Sequence, residues 1–375
     1  MTSNPIGYYA HHMGSGHSVR ARQILAGLNR PAALFTSYPM RAVSETAFEH
    51  IALPTDHAHQ TDYDQSLSPE PAVLHHAPLN VRGIQDRMAT MAQWIATNRP
   101  TAMVSDVSME VLQFARLCSV PTIGVRLTGP REDPAHHHGF EGCRRVVFPL
   151  PEIFEEPITS KAIRRKTAYV GGICRHFGKS IGRQTARLRL RIETDKPVVV
   201  VVNGTYGDGR RSEDLIRIAE ANPGFFWIVL GKVQSIPEQH CSNLHFAGMV
   251  LDTYPWLRAA DVVVGSCGNN TMLEVAYAQR PFVCIPEDRP YAEQATKARV
   301  LAANNLALVL GSIPRPGEWD FYLKVARELD VDQFTKIANP GSVQRFRQVI
   351  DSVADEWSHS PKKAVIERPR MAKTA

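Results

Sequence analysis

The sequence predicts an α/β protein with two doubly wound parallel-sheet domains, and three observations support this fold class. The chain has 375 residues, a length that suggests two domains of about 150–200 residues each. Strand-like and helix-like segments alternate through both halves, as they do in parallel sheets covered by helices. Five consecutive valines at 198–202 are typical of a strand that is buried on both faces.

The first half is predicted to begin with a strand at 6–10, a glycine-rich turn and a helix at 17–28. Further strands are predicted at 32–36, 51–53, 102–105, 121–127 and 145–148. Further helices are predicted at 80–98, where apolar residues recur at helical spacing, and at 109–117. Residues 53–79 and 128–142 show little periodicity, so both are predicted to be long loops.

The second half repeats this alternation. Its strands are predicted at 198–202, 226–230, 244–246, 261–264, 282–285 and 307–309, and its helices at 213–221, 253–259, 271–277 and 292–304. We therefore divide the chain into an N-terminal domain, a basic linker, a C-terminal domain, a helix that could cross back to the first domain, and a basic tail expected to be disordered. The respective bounds are 1–172, 173–194, 195–338, 339–357 and 358–375.

The composition is ordinary for a soluble globular protein. A formal net charge of +6 favours an anionic partner without choosing among nucleotide phosphates, a membrane surface and nucleic acid. The six cysteines occur singly, without a CxxC pair, which is typical of reduced thiols. Neither a signal-peptide pattern nor a run of about 20 apolar residues is visible. We therefore expect a cytoplasmic protein and leave peripheral contact with the inner membrane face open.

A turn of small residues, 266–270, follows the strand predicted at 261–264 and opens a helix at Thr271. Backbone N–H groups at such a helix start bind anions. Glu274 lies one turn into this helix, where its carboxylate can accept hydrogen bonds from the two vicinal hydroxyls of a ribose. Further along the chain, Glu293 and Gln294 open another helix, and an acid beside an amide suits sugar hydroxyls.

This order of turn, acid, strand and acid–amide pair resembles the C-terminal donor site of family 28 glycosyltransferases, the group of the MurG-type and monogalactosyldiacylglycerol synthases. It is also partly similar to plant-type family 1 enzymes, in which a Cys-Gly-x-Asn turn precedes a ribose-binding Glu. The resemblance implies a GT-B fold, in which two Rossmann-like domains face a central cleft. The N-terminal domain would then bind the acceptor and the C-terminal domain the nucleotide-sugar donor.

The resemblance also implies roles for individual donor residues. Glu274 would bind the ribose, and Glu293 and Gln294 the donor sugar. Plant-type enzymes have a His where this chain has Ser266, which favours the family 28 pattern. The remaining residues implied around the diphosphate are Ser266, Gly268, Asn270 and Thr271.

Two weaker matches extend the donor site. Residues 203–207 follow the valine strand and resemble the Gly-Ser-x-Gly loop of these enzymes, which implies that Gly204 and Thr205 approach the diphosphate. Residues 246–252 resemble the loop that recognises the base. That match implies that backbone groups of Met249 and Val250 lie against a uracil.

The glycine-rich turn after the first predicted strand resembles the Gly-His loop of family 28 enzymes, which faces the acceptor and the donor phosphates. Gly14, Ser15 and Gly16 allow a tight turn and the close approach of a ligand. His17, at the helix start, has an unperturbed pKa near 6.5 that suits a general base at neutral pH. Asp106 is its candidate partner, since it follows a strand at the edge where ligands bind. A helix N-cap is an equally natural role for Asp106.

Three adjacent histidines at 136–138 suggest a metal site at first sight. Neighbouring histidines on a loop rarely converge on one ion, and no acid or cysteine at ligand spacing accompanies them. We therefore predict no metal site. Arg126 and Arg131 are expected to line the acceptor side of the cleft instead.

The function predicted from the sequence is an inverting, metal-independent glycosyltransferase that moves a hexose-type sugar from a UDP-sugar to an acceptor hydroxyl, with His17 as base. The UDP-sugar is a co-substrate, and no cofactor is expected. A small natural product, a lipid or a saccharide remain open as acceptors. Two alternatives also stay open, a non-hydrolysing UDP-sugar 2-epimerase and a non-catalytic nucleotide-sugar-binding subunit. No nucleic-acid recognition motif is present, so we predict no nucleic-acid partner.

Overall fold

The computed structural model describes residues 4–14, 16–39, 47–57, 71–203, 210–238 and 241–358. Within these ranges the chain forms two parallel sheets, one of seven strands and one of six, with helices packed on them. This confirms the predicted α/β class and its two parallel sheets. None of the described helices is long and apolar enough to cross a membrane.

The first sheet consists of β1 (Ile6–Ala10), β2 (Ala32–Thr36), β3 (Glu49–Ala52), β4 (Ala102–Asp106), β5 (Thr122–Val125), β6 (Arg145–Phe148) and β7 (Thr167–Tyr169). Their order across the sheet is β3-β2-β1-β4-β5-β6-β7. Because the order reverses direction between β1 and β4, a crevice opens at the carboxyl ends of these two strands. Ala10 pairs with Asp106 at that end, so the residues after β1 lie beside the end of β4.

Helices cover both faces of this sheet: α1 (Gly16–Leu25), α2 (Arg82–Asn98), α3 (Met109–Leu117), α4 (Pro134–Gly142) and α5 (Lys161–Arg165). Successive residues of β1 alternate between two cores, as side chains of a strand must. Tyr8 belongs to one apolar cluster and Tyr9 to another. Both tyrosine side chains are buried, which explains why β1 reads as a continuous apolar run.

The second sheet is preceded by α6 (Arg183–Arg189) and consists of β8 (Val198–Val202), β10 (Phe226–Leu230), β12 (Leu244–Gly248), β13 (Val262–Gly265), β14 (Phe282–Cys284) and β15 (Leu308–Val309). Two short strands, β9 (Arg210–Arg211) and β11 (Val233–Gln234), pair with each other. The six-stranded order is β12-β10-β8-β13-β14-β15, which reverses direction between β8 and β13. Val202 pairs with Gly265 at the carboxyl ends of these two strands.

The remaining helices are α7 (Ser212–Ala221), α8 (Tyr254–Ala259), α9 (Asn269–Ala278), α10 (Glu293–Ala303), α11 (Trp319–Arg327) and α12 (Ser342–Ser358). The last of them packs against the first sheet, not the second. Phe346 and Ile350 are fully buried in the same cluster as Tyr8. Arg347 donates to the backbone carbonyls of Gln23 and Ile24, at the end of α1. The chain therefore crosses back to its N-terminal half, while the exact domain bounds stay a prediction.

Several sequence-based assignments need correction, and neither α5 nor β7 was predicted. The segment 128–142 is not all loop, because α4 occupies Pro134–Gly142. Asp133 caps this helix by accepting from the His136 N–H, and Pro134 occupies its first turn. These are ordinary helix-start signals, but the segment was assigned to a loop because its three adjacent histidines interrupt the apolar periodicity. The predicted linker contains α6, and α11 lies in a region to which no helix was assigned.

Candidate active site

A cleft of about 810 Å³ lies between the two halves and is lined by residues from both. It forms where the carboxyl ends of both sheets face each other, as expected for doubly wound domains. The structure brings most of the predicted site residues into this one cleft. They are Gly14, Gly16, His17, Arg131, Met249, Val250, Ser266, Gly268, Asn270, Thr271, Glu274, Glu293 and Gln294.

Arg126 does not line the cleft. Its guanidinium is buried, donates to Glu155 and Thr159, and lies 4.4 Å from the centre of the Phe148 ring. The prediction that Arg126 faces the acceptor is therefore not supported by its position. Ser15, Gly204 and Thr205 lie outside the described residues.

His17 and Asp106 form a direct pair at the switch point of the first sheet. His17 is the second residue of α1, and its Nδ1 lies 2.8 Å from Oδ1 of Asp106. The Asp106 side chain is fully buried behind the histidine. The N-cap alternative is excluded, because Ser108 caps α3 by accepting from the Val111 N–H.

Asp106 is held by two further side chains. Arg20, one turn along α1 from His17, donates from Nε to Oδ2 at 2.9 Å and from Nη2 to Oδ1 at 2.6 Å. The Tyr8 hydroxyl donates to Oδ2 at 3.0 Å. Burial alone would raise the pKa of Asp106, but Arg20 and then His17 outweigh it and hold the pKa far below its usual range. Asp106 is thus a carboxylate, and its hydrogen bond fixes the orientation of the imidazole.

The sequence did not single out Arg20. Its spacing from His17, three residues along a helix, places both side chains on one face. That spacing was the available signal. The partner on β4 is 86 residues away in sequence, which no local pattern reveals.

In the C-terminal half, the start of α9 lies where the sequence predicts an anion seat. Gly268 is the N-cap residue, and it has no side chain that could accept from the first-turn N–H groups. Such groups are available to an anion. Gln294 supports the same turn, because its Oε1 accepts from the backbone N–H of Cys267 and of Glu287, each at 2.9 Å. The side-chain amide nitrogen of Gln294 is left for a ligand.

Glu274 is only 5% exposed and is already hydrogen bonded. The Thr253 hydroxyl donates to Oε2 at 2.5 Å, and Arg175 Nε lies 2.8 Å from Oε1. His176 Nε2 is 3.4 Å from Oε2. Burial alone would raise the pKa of Glu274, but His176 and Arg175 outweigh it and lower the pKa. A ligand that binds Glu274 therefore meets a fixed carboxylate supported by Arg175, a residue that the sequence had assigned to the linker.

Glu293 is held by a buried lysine. Lys297, one turn later on α10, has no exposed surface, and its Nζ lies 2.8 Å from Glu293 Oε1 and 2.7 Å from Asn269 Oδ1. Burial alone would raise the pKa of Glu293, but the Lys297 ammonium outweighs it and lowers the pKa. Among the described residues, the protein donors to Glu293 fall on Oε1, so Oε2 remains for a ligand.

The two halves touch at Tyr291, just before α10. The Arg131 guanidinium carbon lies 4.4 Å from the centre of the Tyr291 ring, and His75 Nε2 is 2.9 Å from the Tyr291 hydroxyl. Tyr291 and Ala292 both have positive φ, 60° and 47°, a backbone conformation that is unfavourable for residues with a Cβ. Contacts from the N-terminal half thus fix the loop that presents Glu293.

Among the residues that the structure describes, the three histidines at 136–138 are not part of a cluster that could hold a metal ion. Instead, His11, His12 and Asp56 each offer one possible ligand atom, and these atoms lie within 4.8 Å of one another. Protein donors already use part of this group, since the Met13 N–H donates to His11 Nδ1 at 3.1 Å and Arg87 donates to Asp56. We therefore interpret it as a hydrogen-bond network and assign it no ion.

Comparison with known proteins gives weak but consistent sequence similarities. No family model matches the chain. A UDP-N-acetylglucosamine–N-acetylmuramyl-(pentapeptide) pyrophosphoryl-undecaprenol N-acetylglucosamine transferase of Acetivibrio thermocellus is 27% identical over 160 residues, 39% of this chain and 43% of that protein. An uncharacterized glycosyltransferase of Methanosarcina acetivorans is 22% identical over 259 residues, 66% of this chain and 63% of that protein. The chain spans about half the length of the curated relatives it matches.

Solved structures cover nearly the whole chain. A calicheamicin glycosyltransferase superposes with a TM-score of 0.66 at 16% identity, over 96% of this chain and all of that one. MurG of Acinetobacter baumannii superposes with a TM-score of 0.59 at 15% identity, over 93% and 99%. The fold is GT-B. The similarity to family 28 and family 1 enzymes that the sequence motifs predicted is confirmed by these comparisons.

Proposed function

We propose that this protein is a glycosyltransferase that moves a hexose-type sugar from a UDP-sugar to an acceptor hydroxyl with inversion, using His17 as the base. The observation that carries the proposal is the His17–Asp106 pair, which lies in the same cleft as the start of α9 and Glu274. A UDP-linked donor is supported by the curated relatives that are named as transferases of N-acetylglucosamine from UDP-N-acetylglucosamine.

The donor half supplies a plausible seat for each part of a UDP-sugar. Glu274 would accept from the ribose hydroxyls, and backbone groups of Met249 and Val250 would contact the base. The first-turn N–H groups of α9 would bind the diphosphate. Glu293 Oε2 and the Gln294 amide nitrogen would bind two hydroxyls of the sugar, one as acceptor and one as donor.

The chemistry would be a single displacement. With Nδ1 bonded to Asp106, His17 presents Nε2 as the proton acceptor. Nε2 would take the proton of the acceptor hydroxyl while the oxygen of that hydroxyl forms a bond to the anomeric carbon. The bond from that carbon to the diphosphate breaks on the opposite side, which inverts the configuration. The helix N-terminus would stabilise the charge on the leaving diphosphate, and this step needs no metal ion.

The decisive experiment follows UDP release from a panel of UDP-sugars, with and without pooled acceptors. We expect UDP release that depends on an acceptor, together with a product whose anomeric configuration is opposite to that of the donor. Conversion of the UDP-sugar to its 2-epimer without any acceptor would instead identify an epimerase. If a UDP-sugar binds but wild type and His17→Ala are equally inactive, the protein is a binding subunit and not the enzyme.

A further inference from the structure

The part of the cleft that is lined by the N-terminal half has a distinctive chemistry, and we call it the acceptor pocket. Its apolar lining consists of Met13, Ile84, Met88, Val107, Val111 and Leu127. Its arginines are Arg20, Arg87 and Arg131, and no lysine is among the described residues that line the cleft. Whether these cations are available to a ligand decides which acceptors the pocket can bind.

Two of the three arginines are neutralised inside the protein. Arg20 makes two hydrogen bonds to the buried Asp106 carboxylate. Arg87 is 3% exposed and donates to Asp56, to the Pro54 carbonyl and to the Ser37 hydroxyl. A guanidinium with these partners has little capacity left for an anion.

Arg131 faces the other half of the molecule. Its guanidinium packs on the Tyr291 ring, and Nη1 lies 3.2 Å from His136 Nε2. Burial lowers the pKa of Arg131, while the nearby Glu293 carboxylate acts in the opposite direction. Arg131 is therefore held by the Tyr291 ring and His136, and Glu293 is the acid that affects its charge most.

Three of the imidazoles that line the pocket add little positive charge. His12 Nε2 lies 3.1 Å from His57 Nε2 and 3.4 Å from Asp56 Oδ1, so these rings bond to one another and to an acid. Burial lowers the pKa of His11 to about 4 and also lowers the pKa of His12 and His136. These three rings are neutral at neutral pH.

The N-terminus of α1 serves the diphosphate of the donor. A Cβ placed on Gly16, the first residue of α1, would lie 3.5 Å from the Asn270 side chain at the start of α9. The two helix starts therefore meet at one place. They form a single anion seat, which the proposed donor fills.

We infer that the acceptor enters this pocket as an uncharged molecule, an apolar body bearing a hydroxyl group, and not as a phosphorylated or carboxylated one. The inference rests on the proposed function and specifies its acceptor. A phosphate placed beside Met88 and Val111 would lose its hydration, and Arg131, stacked on Tyr291, is the one pocket arginine among the described residues without a carboxylate partner. Burial of a poorly paired charge is strongly unfavourable.

The test compares two matched ligands, 1-naphthol and 1-naphthyl phosphate, by fluorescence titration of the full chain saturated with UDP. UDP occupies the anion seat, so that the phosphate ester reports on the acceptor pocket. We expect 1-naphthol to bind at least tenfold more tightly than its phosphate ester, with an affinity that does not change between low and high salt. Equal or tighter binding of the phosphate ester, or no saturable binding of 1-naphthol, would overturn the inference.

Two charge-introducing variants locate the bound ligand. Met88→Arg should bind 1-naphthol more weakly and the phosphate ester more tightly, because it adds a cation to the pocket. Leu117→Arg is the matched control, since Leu117 is 86% exposed and outside the cleft lining, and it should leave both affinities unchanged. If instead Arg131→Met abolishes binding of the phosphate ester in wild-type-like folded protein, Arg131 is a phosphate receptor and the inference is wrong. UDP binding is measured first by calorimetry, and its absence would refute the proposed function itself.

Discussion

Lys297 is the residue at which the structure makes its most quantitative prediction. Its side chain is completely buried, and its ammonium group binds Glu293 and Asn269 at 2.8 Å and 2.7 Å. Lys297→Met keeps an unbranched side chain, shorter by one atom, and removes the charge. Glu293 then loses its closest cation, and Asn269 Oδ1 loses its donor.

The stability effect can be bounded from these contacts. Removing one partner of a buried ion pair costs about 3–5 kcal/mol, but the Glu293 side chain is 22% exposed and Arg131 remains nearby. We therefore expect Lys297→Met to lower the free energy of unfolding by about 2–3 kcal/mol, because it removes two charge-assisted hydrogen bonds while the apolar methionine is easier to bury than the lysine. Lys324→Met is the matched control, because Lys324 makes the same i,i+4 pair with Asp320 on the surface and should change stability by less than about 0.5 kcal/mol.

The functional effect should be confined to the sugar. Glu293 without Lys297 has a higher pKa and is free to rotate, so kcat/KM for the UDP-sugar should fall about tenfold or more, which is about 1.4 kcal/mol. The affinity for UDP alone should change less than twofold, because Lys297 bonds to the Glu293 and Asn269 side chains, whereas UDP would bind the backbone N–H groups of α9 and Glu274. Urea denaturation, UDP calorimetry and donor kinetics measure the three quantities. Equal losses of UDP and UDP-sugar affinity, or wild-type stability, would refute this reasoning.

Three further predictions concern the base, the buried acids and the loop before α10. His17→Ala should lower the transfer rate about 10²–10⁴-fold with donor affinity unchanged by calorimetry, and undiminished turnover would contradict the role of His17. Asp106 and Glu274 have folded-state pKa values below the unfolded values. The stability that these two carboxylates contribute is therefore present above about pH 4 and is lost as the pH falls through the folded pKa values. A free energy of unfolding that increases when the pH is lowered from 5 to 3, measured by urea titration, would contradict this. Ala292→Gly should raise the free energy of unfolding by about 0.5 kcal/mol and so raise the melting temperature slightly. It removes the strain of an alanine at φ 47°, which outweighs the larger backbone entropy that a glycine loses on folding. A lower melting temperature would show that the loop is not strained.

The sequence predicts the strands better than the side-chain network. The bounds of Ile6–Ala10, Val198–Val202 and Phe226–Leu230 agree with the prediction, because strands buried on both faces are uninterrupted apolar runs. The helix Pro134–Gly142 was missed because its apolar positions are few and three histidines interrupt them. Hydrophobic periodicity indicates which face of a helix is buried, and a short helix with few apolar residues shows too little of it to be predicted.

The same limit applies to the site. Residues that follow strands or open helices, such as His17 and Glu274, could be placed in the cleft from the sequence because topology alone brings strand ends together. Arg20 and Lys297 were missed because their function is set by a partner's carboxylate, and a basic residue within a helix usually lies on a solvated face. Arg126 shows the opposite error, since its charge looked available and is instead bound to Glu155, 29 residues away.

The return of the chain to its N-terminal half has a mechanical consequence. The outgoing and returning segments run side by side at Gly172 and Ala338, where they form a parallel bridge and the Gly172 N–H donates to the Ile337 carbonyl at 3.0 Å. Relative motion is the default expectation for two domains, and any such motion here must involve two chain segments that are hydrogen bonded to each other. No side chain fits at Gly172, because a Cβ there would lie 2.1 Å from Leu273 on α9. The helix that starts at the proposed diphosphate seat thus packs directly against the place where the chain passes between the two halves.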